Sequence, residues 1–425
     1  MSPAPGVHRM NRILTTIVAR LASVVLLGAG LTGCQPPTKL VPGVYRATLS
    51  VPGGDLPFGF SIEMYAGKPI VYLRNGDESV TVSEIDHSGR RIVLRMPGYA
   101  NTIEMTGDGS GYRGDAVMVR PGGKSVRLPF NASAGATYRF FPTPTENPLR
   151  VDGRWAITIG TTPGTTLPAI GEFRQDGAHV VGTIIDPTGD HRYLEGEVHG
   201  NEVLLSRFDG GSAYLYHATL SPDGTLQGKW WSGAWSVDDI SGHRDDGATL
   251  QDPAEAAAAA HAAERFAFTF PDLDGKPVSF SDSRFRGKVV IVALGGSWCP
   301  NCHDEAVFLA PLYRALAPQG LEIVFLEFEH FGDFAAAAAT NRRFATQFGI
   351  HWPVLIAGIS EKDDAAAKLP MLGRVYAFPT TVVLDRKGNV RKVHSGFSGP
   401  ATGQHYEDFQ KEFTGLLHTL LDEKT

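Results

Sequence analysis

Downstream of Val41, apolar and polar residues alternate in short runs, at 44–49, 58–65, 70–73, 80–85 and 92–96, each closed by Gly, Asp, Asn or Pro. Runs about ten residues apart with turn signals between them predict an antiparallel meander, barrel or sandwich. No helix-period segment of useful length interrupts this pattern before residue 250. The second half repeats the first. Gly43-Val44-Tyr45-Arg46-Ala47 resembles Gly153-Arg154-Trp155-Ala156-Ile157, and Leu56-Pro57 falls against Leu167-Pro168 at almost the same offset. A Pro-rich join, Phe141-Pro142-Thr143-Pro144, separates the two copies. A repeat of about a hundred residues predicts two small β units, at 41–142 and 150–246, or two halves of one large barrel.

The pattern changes after Asp245-Asp246-Gly247. Residues 247–264 form a linker whose alanine-rich stretch at 254–263 has the composition of a short helix. From 265 to 425, strand and helix periods alternate. Residues 266–270 and 278–280 predict a hairpin across Asp274-Gly275. The apolar run 289–294 predicts a buried central strand, and Phe308, Leu309, Leu312 and Leu316 repeat at helical spacing. A strand at 321–328, a helix at 334–348, an extended segment at 352–356 and a short helix at 363–368 follow. A hairpin of 381–384 with 390–393 and a last helix at 406–421 complete the set. Such alternation predicts a central sheet covered on both faces. The fold class is thus an all-β N-terminal region of tandem barrel- or sandwich-like repeats, followed by an α/β domain.

Composition narrows the function classes. In 425 residues, a net charge of −6 and no basic run after the N-terminus argue against nucleic-acid binding. Arg9, Arg12 and Arg20 precede a stretch, 21–33, that is apolar or small except for Thr32. It is too short to span a bilayer but suits a signal-peptide core, so 1–33 is read as a signal peptide and 34–40 as a linker. It ends Leu31-Thr32-Gly33-Cys34, which resembles a bacterial lipobox whose cysteine carries the lipid; the alternative is an ordinary signal peptide with a chance cysteine. Export places the chain where disulfides persist, and the lipidated reading puts it in the bacterial cell envelope, anchored by its lipid and facing the periplasm or extracytoplasmic space. Tyr214, Tyr216, Trp230, Trp231 and Trp235 suit a β core better than a ligand cavity.

The chemistry concentrates at Trp298-Cys299-Pro300-Asn301-Cys302, between the apolar strand and the helical segment. Two cysteines three apart at a helix start lie close enough to bridge, and the first meets unsatisfied helix N–H groups that stabilise a thiolate. Half a zinc site and a structural disulfide are the alternatives. A zinc site lacks a second ligand pair, since Cys34 is the one other cysteine, and a disulfide closing so short a loop stabilises little. Strand, turn, Cys-x-x-Cys and helix in that order read as a redox site of the thioredoxin fold.

Together with Ala377-Phe378-Pro379-Thr380-Thr381 and Asp385-Arg386-Lys387-Gly388, this motif resembles the TlpA-like thiol–disulfide oxidoreductases over roughly the last 160 residues. The resemblance implies a thioredoxin-like fold, no metal or organic cofactor, protein thiol or disulfide substrates and a membrane electron-transfer protein as redox partner. By it Cys299 attacks, Cys302 resolves, and the two form the redox disulfide. Pro379 matches the family's cis-proline, and Trp298, Phe378, Pro379 and Thr380 are the substrate-binding residues. Thioredoxins proper carry a buried aspartate on the strand before the active turn, which is wholly apolar here. Glu305, one turn after Cys302, takes an acidic place frequent in the group, and is otherwise a helix-surface glutamate favoured by the dipole. His303 is expected to face solvent, and the strand-end carboxylates Glu327 and Glu329 either to contact partners or, as is usual at strand ends, to be solvated. The loop Gly396-Phe397-Ser398-Gly399-Pro400-Ala401-Thr402-Gly403 is expected to be only a turn.

Two other functions compete. A thiol peroxidase needs Pro-x-x-x-Thr-x-x-Cys before its cysteine, and Val292 and Gly296 occupy those places. The second is a partner- or ligand-binding lipoprotein that uses the β region and carries an accessory redox domain.

Overall fold

In the computed structural model the described residues are 39–136, 138–162, 165–251 and 266–424. The signal peptide, Cys34 and the alanine-rich segment at 254–263 lie outside them.

Alternation of period two becomes two antiparallel sheets. Nine strands between Gly43 and Ala134 form the first, a meander whose first strand, Gly43–Val51, also pairs with its last, Lys124–Ala134. The run expected at 80–85 is broken: Glu78–Val82 and Ile85–Ser88 are separate strands with no ladder between them, and the sheet is open there. The second sheet runs from Gly153 to Arg244. It closes on itself, because Thr165–Asp176 pairs with both Gly153–Thr162 and His179–Asp186, and Gly153–Thr162 also pairs with Ser236–Arg244.

The repeat read in the sequence has a structural counterpart. Tyr45 and Trp155 take the same place on the first strand of each sheet. Each donates from its polar tip to the carbonyl four residues upstream, Tyr45 Oη to Val41 O and Trp155 Nε1 to Val151 O, both at 2.8 Å. A buried aromatic with a satisfied polar tip thereby fixes the entry of the chain into each sheet. The two sheets share a core: Phe58 of the first lies 4.9 Å from Phe208 of the second, ring centre to ring centre. The aromatic group around Trp230 is packing. Tyr216 is buried, Trp230 stacks parallel to it at 5.9 Å, and Trp231 and Trp235 pack on the core of the first sheet.

The C-terminal domain is built on a five-stranded sheet in the order Val354–Ile359, Leu321–Glu329, Val289–Gly295, Thr380–Leu384, Val390–Ser395. The first three strands are parallel and the others antiparallel. All seven residues of the central strand are buried, as a strand covered on both faces requires. Val290, Val292 and Leu294 face a core with Phe266, Phe268 and Phe285. Val289, Ile291 and Ala293 face one with Ala306, Leu309 and Leu417. The helices are α1 (Pro300–Leu316), α2 (Phe334–Phe348), α3 (Lys362–Lys368) and α4 (Gln404–Asp422). Asp333 caps α2 by accepting from Ala336 N at 2.9 Å. No helix among the described residues is long and apolar enough to cross a membrane.

Candidate active site around Cys299 and Cys302

The turn after the central strand is shaped by what surrounds it. A Cβ on Gly296 would stand 2.2 Å from Trp298 Nε1, so only glycine lets the indole fold back and donate to Phe328 O at 2.8 Å. Ser297 is held by Glu329, whose carboxylate accepts from Ser297 N at 2.8 Å, Ser297 Oγ at 3.1 Å and Asn341 Nδ2 of α2 at 2.8 Å. Glu329 is therefore buried and structural, not a solvated strand end. Its expected exposure overlooked α2, which covers the end of the strand.

Cys299 is the N-cap of α1 and Pro300 follows within its first turn, where proline's missing N–H costs nothing. Cys299 Sγ accepts from Cys302 N at 3.3 Å and donates to Phe378 O at 3.4 Å. The Phe378–Pro379 peptide is cis. Both cysteines are thiols and each is only 4% exposed, so exposure does not distinguish them. Burial raises the Cys302 thiol well above the ordinary cysteine range, and Cys299, Glu327 and Glu305 add to the effect.

Glu305 does not face water. It is buried, its Oε1 accepts from Thr381 Oγ1, and burial lifts its carboxyl to about 7 against the opposing pull of that bond. Trp298 is half-buried, stacked on His330 at 4.6 Å and edge-on to Phe378 at 5.9 Å. Thr380 is buried, and its hydroxyl donates to Ala377 O at 2.7 Å, inside its own loop. Among the described residues no group of three or more His, Cys, Asp or Glu side chains could hold a metal ion.

His303 is buried rather than solvent-facing. Its Nε2 lies 2.8 Å from Ser297 O, its ring stacks on Tyr99 of the first β sheet at 4.0 Å, and burial depresses its basicity to about 3. Tyr99 reaches it because Gly98 adopts φ 77°, and a Cβ on Gly98 would stand 2.8 Å from the imidazole. The second barrel also reaches the active turn. Asn301 Nδ2 donates to Asp190 O at 3.0 Å and to Phe397 O at 2.7 Å, while Asp190 Oδ1 accepts from Gly399 N at 3.0 Å. Arg192 pairs with Asp304 of α1 at 3.1 Å, with Glu78 at 2.8 Å and with Asp209 at 3.1 Å. Asp304 still rises to about 7, because burial outweighs the Arg192 guanidinium. The glycine-rich loop at 396–403 is thus a bridge between barrel and active turn. Its glycines were the one sequence signal for that contact, since Gly396 and Gly399 permit the close approach.

Comparison with known proteins agrees with this geometry. The Redoxin family model matches residues 259–408. The thiol-disulfide oxidoreductase ResA of Bacillus thuringiensis subsp. konkukian is 29% identical over 147 residues, 35% of this chain and 75% of that protein. ResA of Halalkalibacterium halodurans is 27% identical over 144 residues, 34% of this chain and 72% of that one. Among solved structures, a secreted thiol-disulfide isomerase from Corynebacterium glutamicum is 23% identical with a TM-score of 0.30, covering 38% of this chain and 86% of that one. The C-terminal domain accordingly matches the Redoxin family and is similar to TlpA-like thiol–disulfide oxidoreductases, which supports protein disulfide oxidoreductase activity.

Proposed function

We propose that this protein reduces disulfides of protein substrates outside the cytoplasm, with Cys299 as attacking and Cys302 as resolving thiol. The observation that carries the reading is the position of Cys299 Sγ, at the N-terminus of α1 and against Phe378 O. The Cys299 thiolate attacks one sulfur of the substrate disulfide; that S–S bond breaks and the released sulfur takes up a proton. Cys302 then gives up its proton and attacks Cys299 Sγ, freeing the second substrate thiol. The substrate gains two electrons and the cysteine pair becomes a disulfide. Re-reduction needs a dithiol partner, for which a membrane electron-transfer protein is the natural class.

Asp190 and Arg192 cover the Asn301 and Asp304 side of the turn, which leaves the Trp298 and Phe378 side for substrate. Once Cys299 enters a mixed disulfide, Phe378 O is free to accept from the backbone of an extended peptide, with Trp298 and Pro379 alongside. Thr380 supports this loop from inside. The lipobox-like Leu31-Thr32-Gly33-Cys34 supports attachment to the envelope by a lipid on Cys34.

The test is a redox titration against a dithiol buffer with the disulfide mapped by mass spectrometry. A Cys302 thiol held protonated favours a reducing pair, so the midpoint is expected near that of thioredoxin, about −270 mV. A midpoint near −120 mV, typical of a strong oxidant, would overturn the reductase direction.

A further inference from the structure

A second carboxyl lies beside Cys302. The strands Val289–Gly295 and Leu321–Glu329 run parallel with Gly295 opposite Glu327. In-register neighbours on adjacent strands point to the same face. Two residues earlier on each strand, Ala293 and Phe325 pack with Ala306 and Leu309 of α1. Gly295 and Glu327 therefore lie on the α1 side of the sheet.

A Cβ on Gly295 would stand 3.1 Å from Cys302 Sγ and 3.9 Å from Glu327 Oε1. Both the thiol and the carboxyl border the position a side chain at Gly295 would take, and a methyl group there would press on the sulfur. Glu327 is 1% exposed, and its Oε2 has no hydrogen-bond partner among the described residues. A buried carboxyl without its full set of partners is costly, which asks for a reason beyond packing. Glu305 occupies the other flank: its partner Thr381 is in register with Ala293 from the opposite neighbouring strand. Cys302 thus sits between two carboxyls carried by different elements.

We propose that Glu327 is a proton acceptor for Cys302 in the step that resolves the mixed disulfide. The proposal rests on the reading of Cys302 as the resolving thiol. As Cys302 attacks, its S–H proton passes to the Glu327 carboxylate, directly or through one water. The Cys299–Cys302 bond forms, the bond from Cys299 to substrate breaks, and the substrate leaves as a thiolate that is protonated by solvent. On re-reduction Cys302 departs as a thiolate and recovers the proton. The titratable groups facing Glu327 are Glu329 on its own strand and Cys299, Cys302 and Glu305 from the turn and α1. Burial first, then these like charges, hold its carboxyl well above the ordinary range. The attacking thiolate of Cys299 is a like charge beside Glu327, and once its sulfur is bonded to substrate that charge is gone, so Glu327 becomes easier to ionise at the moment an acceptor is needed.

The experiment is stopped-flow reaction of the full chain with a fluorescent disulfide peptide, separating mixed-disulfide formation from its resolution. Glu327→Gln keeps the shape and removes the acceptor. Resolution at pH 7 should slow by about tenfold or more, while formation stays within about twofold. The deficit should shrink as pH rises toward the range where hydroxide deprotonates Cys302 directly. Gly295→Ala presses a methyl group on the sulfur and should give the same low-pH deficit with Glu327 intact. A resolution rate unchanged at all pH, or lowered by one constant factor at all pH, overturns the proposal. If that happens while Cys302→Ser still accumulates a mixed disulfide, only the role of Glu327 falls. If Cys302→Ser accumulates none, the order of attack falls and this proposal with it.

Discussion

Replacing Glu305 by glutamine separates the chemistry of a buried acid from its packing. The folded protein raises this carboxyl from 4.5 to about 7, chiefly by burial. A displacement of that size corresponds to about 3 kcal/mol between the charged and neutral forms. The folded value lies above the unfolded one, so the fold prefers the neutral acid. The contribution is complete below pH 4.5, is lost as pH rises from 4.5 to about 7, and stays absent above. The substituted glutamine does not titrate, and its side-chain carbonyl can still accept from Thr381 Oγ1. Glu305→Gln should therefore match wild type near pH 4 and exceed it by up to about 3 kcal/mol at pH 8. Urea unfolding of both proteins in the dithiol state, with midpoints compared at constant slope from pH 4 to 9, measures this directly. Parallel curves across that range, or a variant less stable at pH 8, would refute the argument.

The remaining predictions concern the contacts between the β region and α1. His303 is held near 3, below its unfolded value, so its stabilising contribution is present above about pH 6.5 and lost as pH falls toward 3. His303→Phe should flatten that acid loss in thermal melts at pH 4 and 7, at a cost of about 1 kcal/mol for the bond to Ser297 O; an unchanged acid profile would contradict it. Arg192→Leu strips Asp304, Glu78 and Asp209 of a shared buried cation and should destabilise by about 3–5 kcal/mol in urea. A loss below about 1 kcal/mol would mean that the carboxylates neutralise instead.

Local pattern carried most of the architecture. The continuous apolar run before Gly295 could only be a strand covered on both faces, and α2 begins at Asp333 and ends at Gly349 as capping chemistry dictates. The aromatic at the same offset in each β unit was enough to find the repeat, because Tyr45 and Trp155 do the same work. What the pattern did not show depends on partners distant in the chain. Glu327 and Glu329 look like solvated strand ends until α1 and α2 are laid over them. His303 reads as a surface residue of an exposed turn until Tyr99 covers it. Asp190 meets Asn301 across 111 residues, and no local period connects a barrel loop to a redox turn. The break between Val82 and Ile85 was likewise invisible, since the alternation runs straight through it.

The central claim is that Cys299 makes the bond to substrate and Cys302 breaks it. Its most direct test is to incubate Cys302→Ser and Cys299→Ser with a disulfide-bonded protein substrate, quench with acid and map the covalent adducts by mass spectrometry. A stable adduct on Cys299 is expected in the first variant and no accumulated adduct in the second. Adducts of equal yield in both variants, or one confined to Cys302, would contradict it.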